Sequence, residues 1–468
     1  MNTLKVNEIF ESLQKVRRPR KREQLLSYLT GAYLGDGCKT TNSLIVSGKE
    51  KYLTSLGNNV IKRLKRKVEF RYDSTSMCGI FINGYSLTYI IKEEIRTPDL
   101  IFRYPEAFLA GVLDTDGSVI VDRSTAKEHY HISIEFYNTN LYYLSLIRKA
   151  LDKLSIAFKE TVITIAEANK LLQKNNKTFK ANKDQHTIKV VSRAAVFYLG
   201  FLLKNYTLRE LPSKRIINFL TEYWNYYKMK KLPISEIFSS INGEGLSIGI
   251  PQFFIRVYGC NLRCPGCDTS YAVPTAKLDK GLANEPSTKY TGITIKELLE
   301  NFEQSNLEWV CLTGGEFTLY EYLLNALVTF LKCINAKITL QTNGTRYLPV
   351  FKLIDIIACD IKSPCTKVKS NLSVIEKLKP KDEVKNLIYD SKDWEFAKTI
   401  NKLTRKAGCV HLLQPLDIVK TKDEYKRREE YLKKYEWLIE KVLKSKLQNV
   451  RVLFQIHKLV WGFNRKGV

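Results

Sequence analysis

Three cysteines fall within eight residues at Cys260-Asn-Leu-Arg-Cys264-Pro-Gly-Cys267, with Asp268 and Thr269 directly after them. Thiolates are soft ligands, so this C-x3-C-x2-C run asks for zinc or an iron–sulfur cluster. Four thiolates would suit structural zinc or a fully ligated cluster. Three suit a [4Fe–4S] cluster with one iron left open to a small molecule. A zinc knuckle would want a fourth Cys or His nearby, and none lies close in sequence. Downstream, Thr313-Gly-Gly-Glu316 follows the apolar run Trp309–Leu312. Paired glycines let backbone approach a ligand, and a carboxylate beside them can take an ammonium. Taken alone, this is also an ordinary turn.

The first half offers a different chemistry. Leu25-Leu-Ser-Tyr-Leu-Thr-Gly-Ala-Tyr-Leu34 reads as a helix running into Gly35-Asp36-Gly37, and Pro105-Glu-Ala-Phe-Leu-Ala-Gly-Val-Leu113 repeats the pattern into Asp114-Thr115-Asp116-Gly117. In each copy small residues, Gly31 with Ala32 and Ala110 with Gly111, interrupt large apolar ones. Small residues let two helices pack with their backbones nearly touching. Two such helices side by side would bring Asp36 and Asp116 together, and paired carboxylates can hold divalent metal against a phosphodiester.

Both chemistries need elements to carry them. After each acidic motif come alternating segments: Ser43–Ser47 and Gly79–Asn83, then His131–Phe136 and Thr187–Val191. Beyond Met229, Phe253–Tyr258 is an apolar strand that leads into the first cysteine, and Thr294-Ile-Lys-Glu297 is a capping box for a helix through Phe302. Strands are expected at Trp309–Leu312, Lys337–Thr342, Asp355–Asp360, Val410–Leu413 and Val450–Phe454, with helices between several of them. The longest helix, about Lys422 to Lys446, should bury Leu432, Tyr435, Ile439 and Val442/Leu443. Such β–α alternation implies an α/β fold, a parallel sheet or barrel with its chemistry at strand C-termini.

The 468 residues are too many for one ordinary domain, and 44% apolar with 26% charged residues is globular composition. Net charge is +27. Before Met229 there are 37 Lys and Arg against 22 Asp and Glu, a net +15; from it onward the net is +12. Basic halves fit nucleic-acid contact, while for the second half a Lys-rich solvated surface is the simpler reading. Ten cysteines in a chain this long do not make a disulfide scaffold. Cys38, Cys78, Cys311, Cys333, Cys359, Cys365 and Cys409 read as free thiols, mostly buried. No apolar run approaches the length of a membrane span and no signal-peptide core opens the chain, so a reducing cytoplasm is expected.

The two acidic motifs, Leu29-Thr-Gly-Ala-Tyr-Leu-Gly-Asp36-Gly37 and Leu109-Ala-Gly-Val-Leu-Asp-Thr-Asp116-Gly117, resemble the LAGLIDADG homing endonuclease family in its two-motif form. The resemblance covers roughly residues 20–225 and implies an α+β pseudo-symmetric saddle, with DNA as partner and Asp36 and Asp116 as nuclease catalytic residues. Arg63, Lys65, Arg66 and Lys67 read equally as phosphate contacts or a solvated helix face. An intein would need a His-Asn pair to close it, and Tyr223-Trp-Asn-Tyr-Tyr-Lys-Met229 has none. A fusion, with Met229 as a former start, fits better and divides the chain into residues 1–228 and 229–468.

The cysteine run together with Thr313–Glu316 resembles the radical S-adenosylmethionine superfamily, which implies a partial (β/α) barrel. Within it, Glu236-Ile-Phe-Ser-Ser-Ile-Asn-Gly-Glu-Gly245, Gly249–Ala272, Thr342–Thr345, Asp360–Pro364, Gln414–Asp417 and Gln455–Lys458 resemble the 7-carboxy-7-deazaguanine synthase family. That resemblance implies cluster ligation by Cys260, Cys264 and Cys267 and Mg2+ at Thr269. It implies S-adenosylmethionine contacts at Gly266, Cys267, Asp268, Gly315, Asp360, Ile361, Lys362, Gln414, Pro415, Leu416 and Asp417. Substrate contacts carry over to Ile241, Asn242, Gly243, Arg256 and Thr313, with Arg256 on the carboxylate of a pterin. The implied reaction turns 6-carboxy-5,6,7,8-tetrahydropterin into 7-carboxy-7-deazaguanine with loss of ammonia, using an external electron donor and a homodimer of the synthase domain. Two residues depart from the family pattern: Asn242 replaces the usual Gln, and Phe317 replaces the usual Pro, which would loosen the cofactor loop. The competing reading is a DNA endonuclease with an inactive C-terminal passenger.

Overall fold

The computed structural model describes residues 10, 13, 21–39, 43–47, 50–72, 77–83, 85–122, 131–174, 183–265, 267–273, 290–416 and 423–463. The chain divides into two compact units, one of them Asn7–Asn225 and the other containing Tyr226–Val468. Among the described residues no helix is long and apolar enough to cross a membrane.

The first unit is a repeated plan. Helix α1 (Arg22–Asp36) leads into β1 (Gly37–Lys39) and β2 (Ser43–Ser47), then α2 (Glu50–Leu64), β3 (Val68–Tyr72), β4 (Met77–Asn83) and α3 (Tyr85–Arg96). After the single turn Leu100–Arg103, α4 (Pro105–Asp116) opens the second copy, with β5 (Gly117–Asp122), β6 (His131–Asn138), α5 (Leu141–Lys153), β7 (Lys159–Ile163), α6 (Ile165–Lys174), β8 (Gln185–Val190) and α7 (Arg193–Leu203). Helix α8 (Glu210–Tyr227) follows. The sheets have matching order, β1-β2-β4-β3 and β5-β6-β8-β7, with every neighbouring pair antiparallel.

The small residues do what their size allows. A Cβ on Gly31 would collide with the Phe108 carbonyl, and one on Gly111 with the Tyr28 carbonyl. The backbones of α1 and α4 therefore touch at two reciprocal points, and Leu25, Leu29, Leu109 and Val112 on these helices are buried.

The second unit holds one nine-stranded sheet: β9 (Lys231–Ile241), β10 (Pro251–Val257), β11 (Thr291–Thr294), β12 (Trp309–Gly314), β13 (Lys337–Thr342), β14 (Ile356–Asp360), β15 (Glu383–Ile388), β16 (Val410–Pro415) and β17 (Val450–Val452). Its order is β11-β9-β10-β12-β13-β14-β15-β16-β17, parallel from β10 to β17 and antiparallel at β9 and β11. The pairing is that of an open sheet with β11 and β17 at its edges, so the architecture stands as mixed α/β; no strand pair closes a barrel among the described residues. Helices α9 (Ile295–Gln304), α10 (Glu321–Cys333), α11 (Ser391–Ala407) and α12 (Glu424–Ser445) alternate with the strands, and α13 (Ile456–Trp461) ends the unit. The Thr294–Glu297 capping box is formed at the start of α9.

One helix face differs from expectation. In α12 the buried residues are Tyr431 and Leu438, whereas Leu432 is 38% and Leu443 71% exposed. Leu438 packs into a cluster with Ile388, Trp394 and Leu413, with Trp437 and Val442 alongside. The stripe that meets the sheet therefore runs through 431, 435, 438 and 442, and Leu432 and Leu443 fall outside it.

Candidate functional site

Strand register separates the two faces of the large sheet, because successive side chains alternate. On one face lie Phe253, Ile255, Val257, Val310, Leu312, Ile338, Leu340, Ile357 and Val384, an apolar surface of the kind that helices cover. On the other face the registered row is Glu236, Arg256, Thr313 and Gln341, one residue from each of β9, β10, β12 and β13. Further along, Asp360 lies opposite Lys385, and Gln414 follows on β16. A polar, largely buried sheet face needs partners for its polar atoms. Some have none among the described residues: Asp360 Oδ1 and both amide atoms of Gln414, which is fully buried.

The cysteine run leaves β10 at the C-terminal end of that face. Cys260 is buried and its sulfur accepts from the Leu262 amide at 3.4 Å and from Asn343 Nδ2 at 3.6 Å. Asn343 Nδ2 also donates to Asn261 Oδ1 at 2.8 Å, and Asn261 donates to Thr345 Oγ1 at 3.0 Å. The Thr342–Thr345 segment is thus bonded onto the cysteine loop. Burial pushes the Cys260 thiol up and raises Cys264 to about 11, so as free thiols both stay protonated and metal must displace those protons. Among the described residues no three His, Cys, Asp or Glu converge as ligands of a single ion. The thiolates of a cubane cluster bind separate irons, so a cluster does not ask for that convergence. Amide donors to sulfur and unpartnered polar atoms on the facing sheet fit such a cluster with a polar small molecule beside it. Thr269 follows, its hydroxyl 3.5 Å from Cys267 Sγ, and Asp268 faces Lys458 Nζ at 3.9 Å.

The Gly-Gly-Glu turn is built against this loop. The Gly315 amide donates to the Val257 carbonyl at 2.9 Å and the Glu316 amide to the Gly259 carbonyl at 2.7 Å. A Cβ on Gly315 would overlap Gly259, and Gly314 has φ 121°, so both positions need glycine. Glu316 also has a structural job. Its buried carboxylate accepts from the Thr318 amide at 3.0 Å, the Thr342 hydroxyl at 3.0 Å and the Asn343 amide at 2.7 Å. It staples the turn to β13 with three of its roughly four acceptor sites. Phe317 is 1% exposed and begins the following turn, its ring packed into the interior.

The remaining sequence-marked residues divide as follows. Arg256 and Thr313 are adjacent in the sheet row, and Thr313 Oγ1 bonds Gln341 Oε1 at 2.5 Å. Ile241 ends β9 and is 44% exposed. Asn242 is buried, with its side-chain amide donating to Ser247 Oγ at 2.5 Å, so that amide holds a turn. Gly243 lies so close to His457 that a Cβ would overlap the ring, and its carbonyl accepts from the Ile456 amide at 3.0 Å. This joins Gln455–Lys458 to the Asn242–Gly245 turn. Ile361, Pro415 and Leu416 are buried beside Asp360 and Gln414. Gly266 and Asp417 lie outside the described residues.

Sequence reasoning missed Lys385. Its ammonium bridges Glu244 at 3.2 Å and Asp360 at 3.7 Å, and Asp360 also pairs with Lys362 at 2.9 Å. Burial pushes Glu244 up, but Lys385, with His457 and Lys458, holds it at about 2. Glu383, on the same strand, is pushed up to about 7 by burial. The alternation Glu383-Val-Lys385-Asn was the available signal, since charges two apart on a strand share a face.

In the first unit, α1 ends at Asp36 and α4 at Asp116. Gly35 packs on Thr115 and the Asp116 amide, so the two helix ends meet. Asn138 Nδ2 donates to Asp116 Oδ2 at 3.1 Å and to the Leu34 carbonyl at 3.4 Å, tying both ends. The Asp36 side chain lies outside what is described. Asp114 faces the other way: it is buried, accepting from Tyr28 OH at 2.7 Å and the Leu208 amide at 2.5 Å, and burial raises it to about 7. Arg63, Lys65, Arg66 and Lys67 lie at the end of α2 and the turn into β3, with Lys65 and Lys67 exposed. Cys311, Cys333, Cys359 and Cys409 are buried and Cys365 is half-buried, none of them in a disulfide; the Cys38 and Cys78 side chains lie outside what is described.

Known proteins place these observations. Residues 254–389 match the Radical SAM superfamily, which implies an iron–sulfur cluster and S-adenosylmethionine. A 7-carboxy-7-deazaguanine synthase of Bacillus subtilis is 34% identical over 251 residues, covering 51% of this chain and 99% of the relative. Among solved structures, QueE from Escherichia coli covers 50% of this chain and 98% of its own at 23% identity and a TM-score of 0.38. The homing endonuclease I-DmoI, in complex with DNA and Ca, covers 41% of this chain and 95% of its own at 16% identity and a TM-score of 0.29. Spanning nearly the whole of a relative with which it shares a third of its residues, the chain belongs to the 7-carboxy-7-deazaguanine synthase family and is a radical S-adenosylmethionine enzyme.

Proposed function

We propose that the second unit, read as beginning near Met229, is a lyase that converts 6-carboxy-5,6,7,8-tetrahydropterin to 7-carboxy-7-deazaguanine with loss of ammonia. The observation that carries this reading is the polar row Glu236–Arg256–Thr313–Gln341 beside the cysteine loop. Cys260, Cys264 and Cys267 would hold the cluster, and Gly315, Asp360, Ile361, Lys362 and Gln414 to Leu416 the S-adenosylmethionine. Bound there, the cluster and the cofactor would supply one-electron chemistry for taking a hydrogen atom from substrate.

The chain's own residues bind and orient. The Arg256 guanidinium can pair with the substrate carboxylate, and Thr313, braced by Gln341, offers a hydroxyl next to it. Lys385, together with Lys362, balances the charges of Asp360 and Glu244 across the site. Thr269 is the proposed protein ligand to Mg2+, a hard cation that would leave most of its positions to substrate oxygens and water. A curved, partial-barrel sheet, a homodimer of this unit, an external electron donor and a reducing cytoplasm belong to the same reading.

The deciding experiment is product analysis. Full-length protein, reconstituted anaerobically and given reductant, S-adenosylmethionine and the carboxylated tetrahydropterin, should yield 7-carboxy-7-deazaguanine and 5′-deoxyadenosine. A protein that stays colourless on reconstitution would refute the lyase in favour of an inactive passenger.

A second reading applies to the first unit: a two-motif DNA endonuclease with Asp36 and Asp116 as its metal-binding acids. The meeting of the α1 and α4 ends at Gly35, Thr115 and Asp116 favours it. Plasmid nicking that survives in an Asp36→Asn/Asp116→Asn double variant would sink it.

A further inference from the structure

Arg256 is already paired before any substrate is considered. Its Nε donates to Glu236 Oε1 at 2.5 Å, and the two side chains are 14% and 20% exposed. The guanidinium carbon sits 5.9 Å from the Phe238 ring centre, and Phe238 stacks on Phe254 at 4.9 Å. Held at Nε on one side and over a ring on its face, the fork keeps a fixed plane with its terminal nitrogens at the far edge. Glu236 Oε1 takes a second bond, from Tyr271 OH at 2.6 Å. Tyr271 lies in the turn Ser270–Ala272, directly after Thr269 and the last cysteine, and the Gly259 amide bonds the Ala272 carbonyl at 2.8 Å.

Resting on the pterin reading of this site, we propose that Glu236 is the positioning residue for substrate recognition. It aims Arg256 at the substrate carboxylate and, through Tyr271, ties that aim to the loop carrying the cysteines. An unanchored arginine would swing among rotamers and lose the bidentate geometry that separates a carboxylated pterin from one without the carboxylate. Glu236 touches no reacting atom. Its effect is on selectivity for the carboxylate.

The test compares two ligands on the iron-loaded full chain with S-adenosylmethionine: 6-carboxy-5,6,7,8-tetrahydropterin and tetrahydropterin lacking the carboxylate, each titrated by equilibrium binding. Glu236→Ala should weaken the carboxylated ligand by roughly thirtyfold or more, the range for breaking a buried charge pair, and leave the other ligand within a few-fold. Glu236→Gln, which keeps an acceptor oxygen, should recover part of the loss, and Tyr271→Phe should give a smaller one of the same kind. In turnover the loss should appear in KM more than in kcat. Equal weakening of both ligands, or unchanged selectivity in Glu236→Ala and Glu236→Gln, overturns the inference while leaving the pterin reading intact. Wild-type protein that binds neither pterin overturns both.

Discussion

The two units assemble their candidate chemistry in opposite ways. In the first, two short motifs on α1 and α4 supply the acids, and helix-to-helix glycine contacts bring the ends together. In the second, β9, β10, β12, β13, β14, β15 and β16 each supply one or two polar side chains to one sheet face. A site made by two elements depends on their close approach. A site made by seven depends on register and on charge balance across neighbouring strands.

That contrast can be broken selectively. The largest effect belongs to Cys264→Ala: cluster absorbance and S-adenosylmethionine cleavage should fall to background, while the thermal transition of the first unit stays in place. Lys385→Met comes next, leaving Glu244 and Asp360 buried with less compensation. It should destabilise the second unit by about 3–5 kcal/mol in denaturant titration, as for other broken buried pairs. Gly111→Ala presses a methyl group into the Tyr28 carbonyl and should cost the first unit about 3 kcal/mol, with cleavage of S-adenosylmethionine retained.

The smallest effect is in pH dependence. Asp114 and Glu383 are raised by burial from 3.8 and 4.5 to about 7. The folded state therefore binds their protons more tightly than the unfolded chain does. Each contributes stability that is present below its ordinary value and is lost as pH rises through about 7. Asp114→Asn should flatten that decline in the first unit and Glu383→Gln in the second, each by about 1–3 kcal/mol, read from melting curves between acid and neutral pH. Glu244, held at about 2, has the opposite sign and contributes until strongly acid conditions.

Much of both units was legible beforehand. The ends of α4 and β13, the Thr294 cap and the paired small residues of α1 and α4 came from local spacing, which helix and strand geometry translate directly. Strands β9, β11 and β15 were not anticipated. Proline near the start of β9 and charged residues along β15 hide strand character that only pairing with neighbours reveals. The stripe on α12 was misread because several adjacent faces of that helix carry apolar residues, and the sheet beneath chooses among them.

Three thiols in one short run, two glycines before Glu316 and an acid at the end of each motif are matters of sequence, since the atoms concerned lie within a turn or two of one another. Tertiary structure alone decided that Glu316 is bonded to Thr318, Thr342 and Asn343. It alone set Glu236 beside Arg256 and Lys385 between Glu244 and Asp360. Those partners are far apart along the chain or lie on separate strands, and strand register is what brings them within hydrogen-bonding distance.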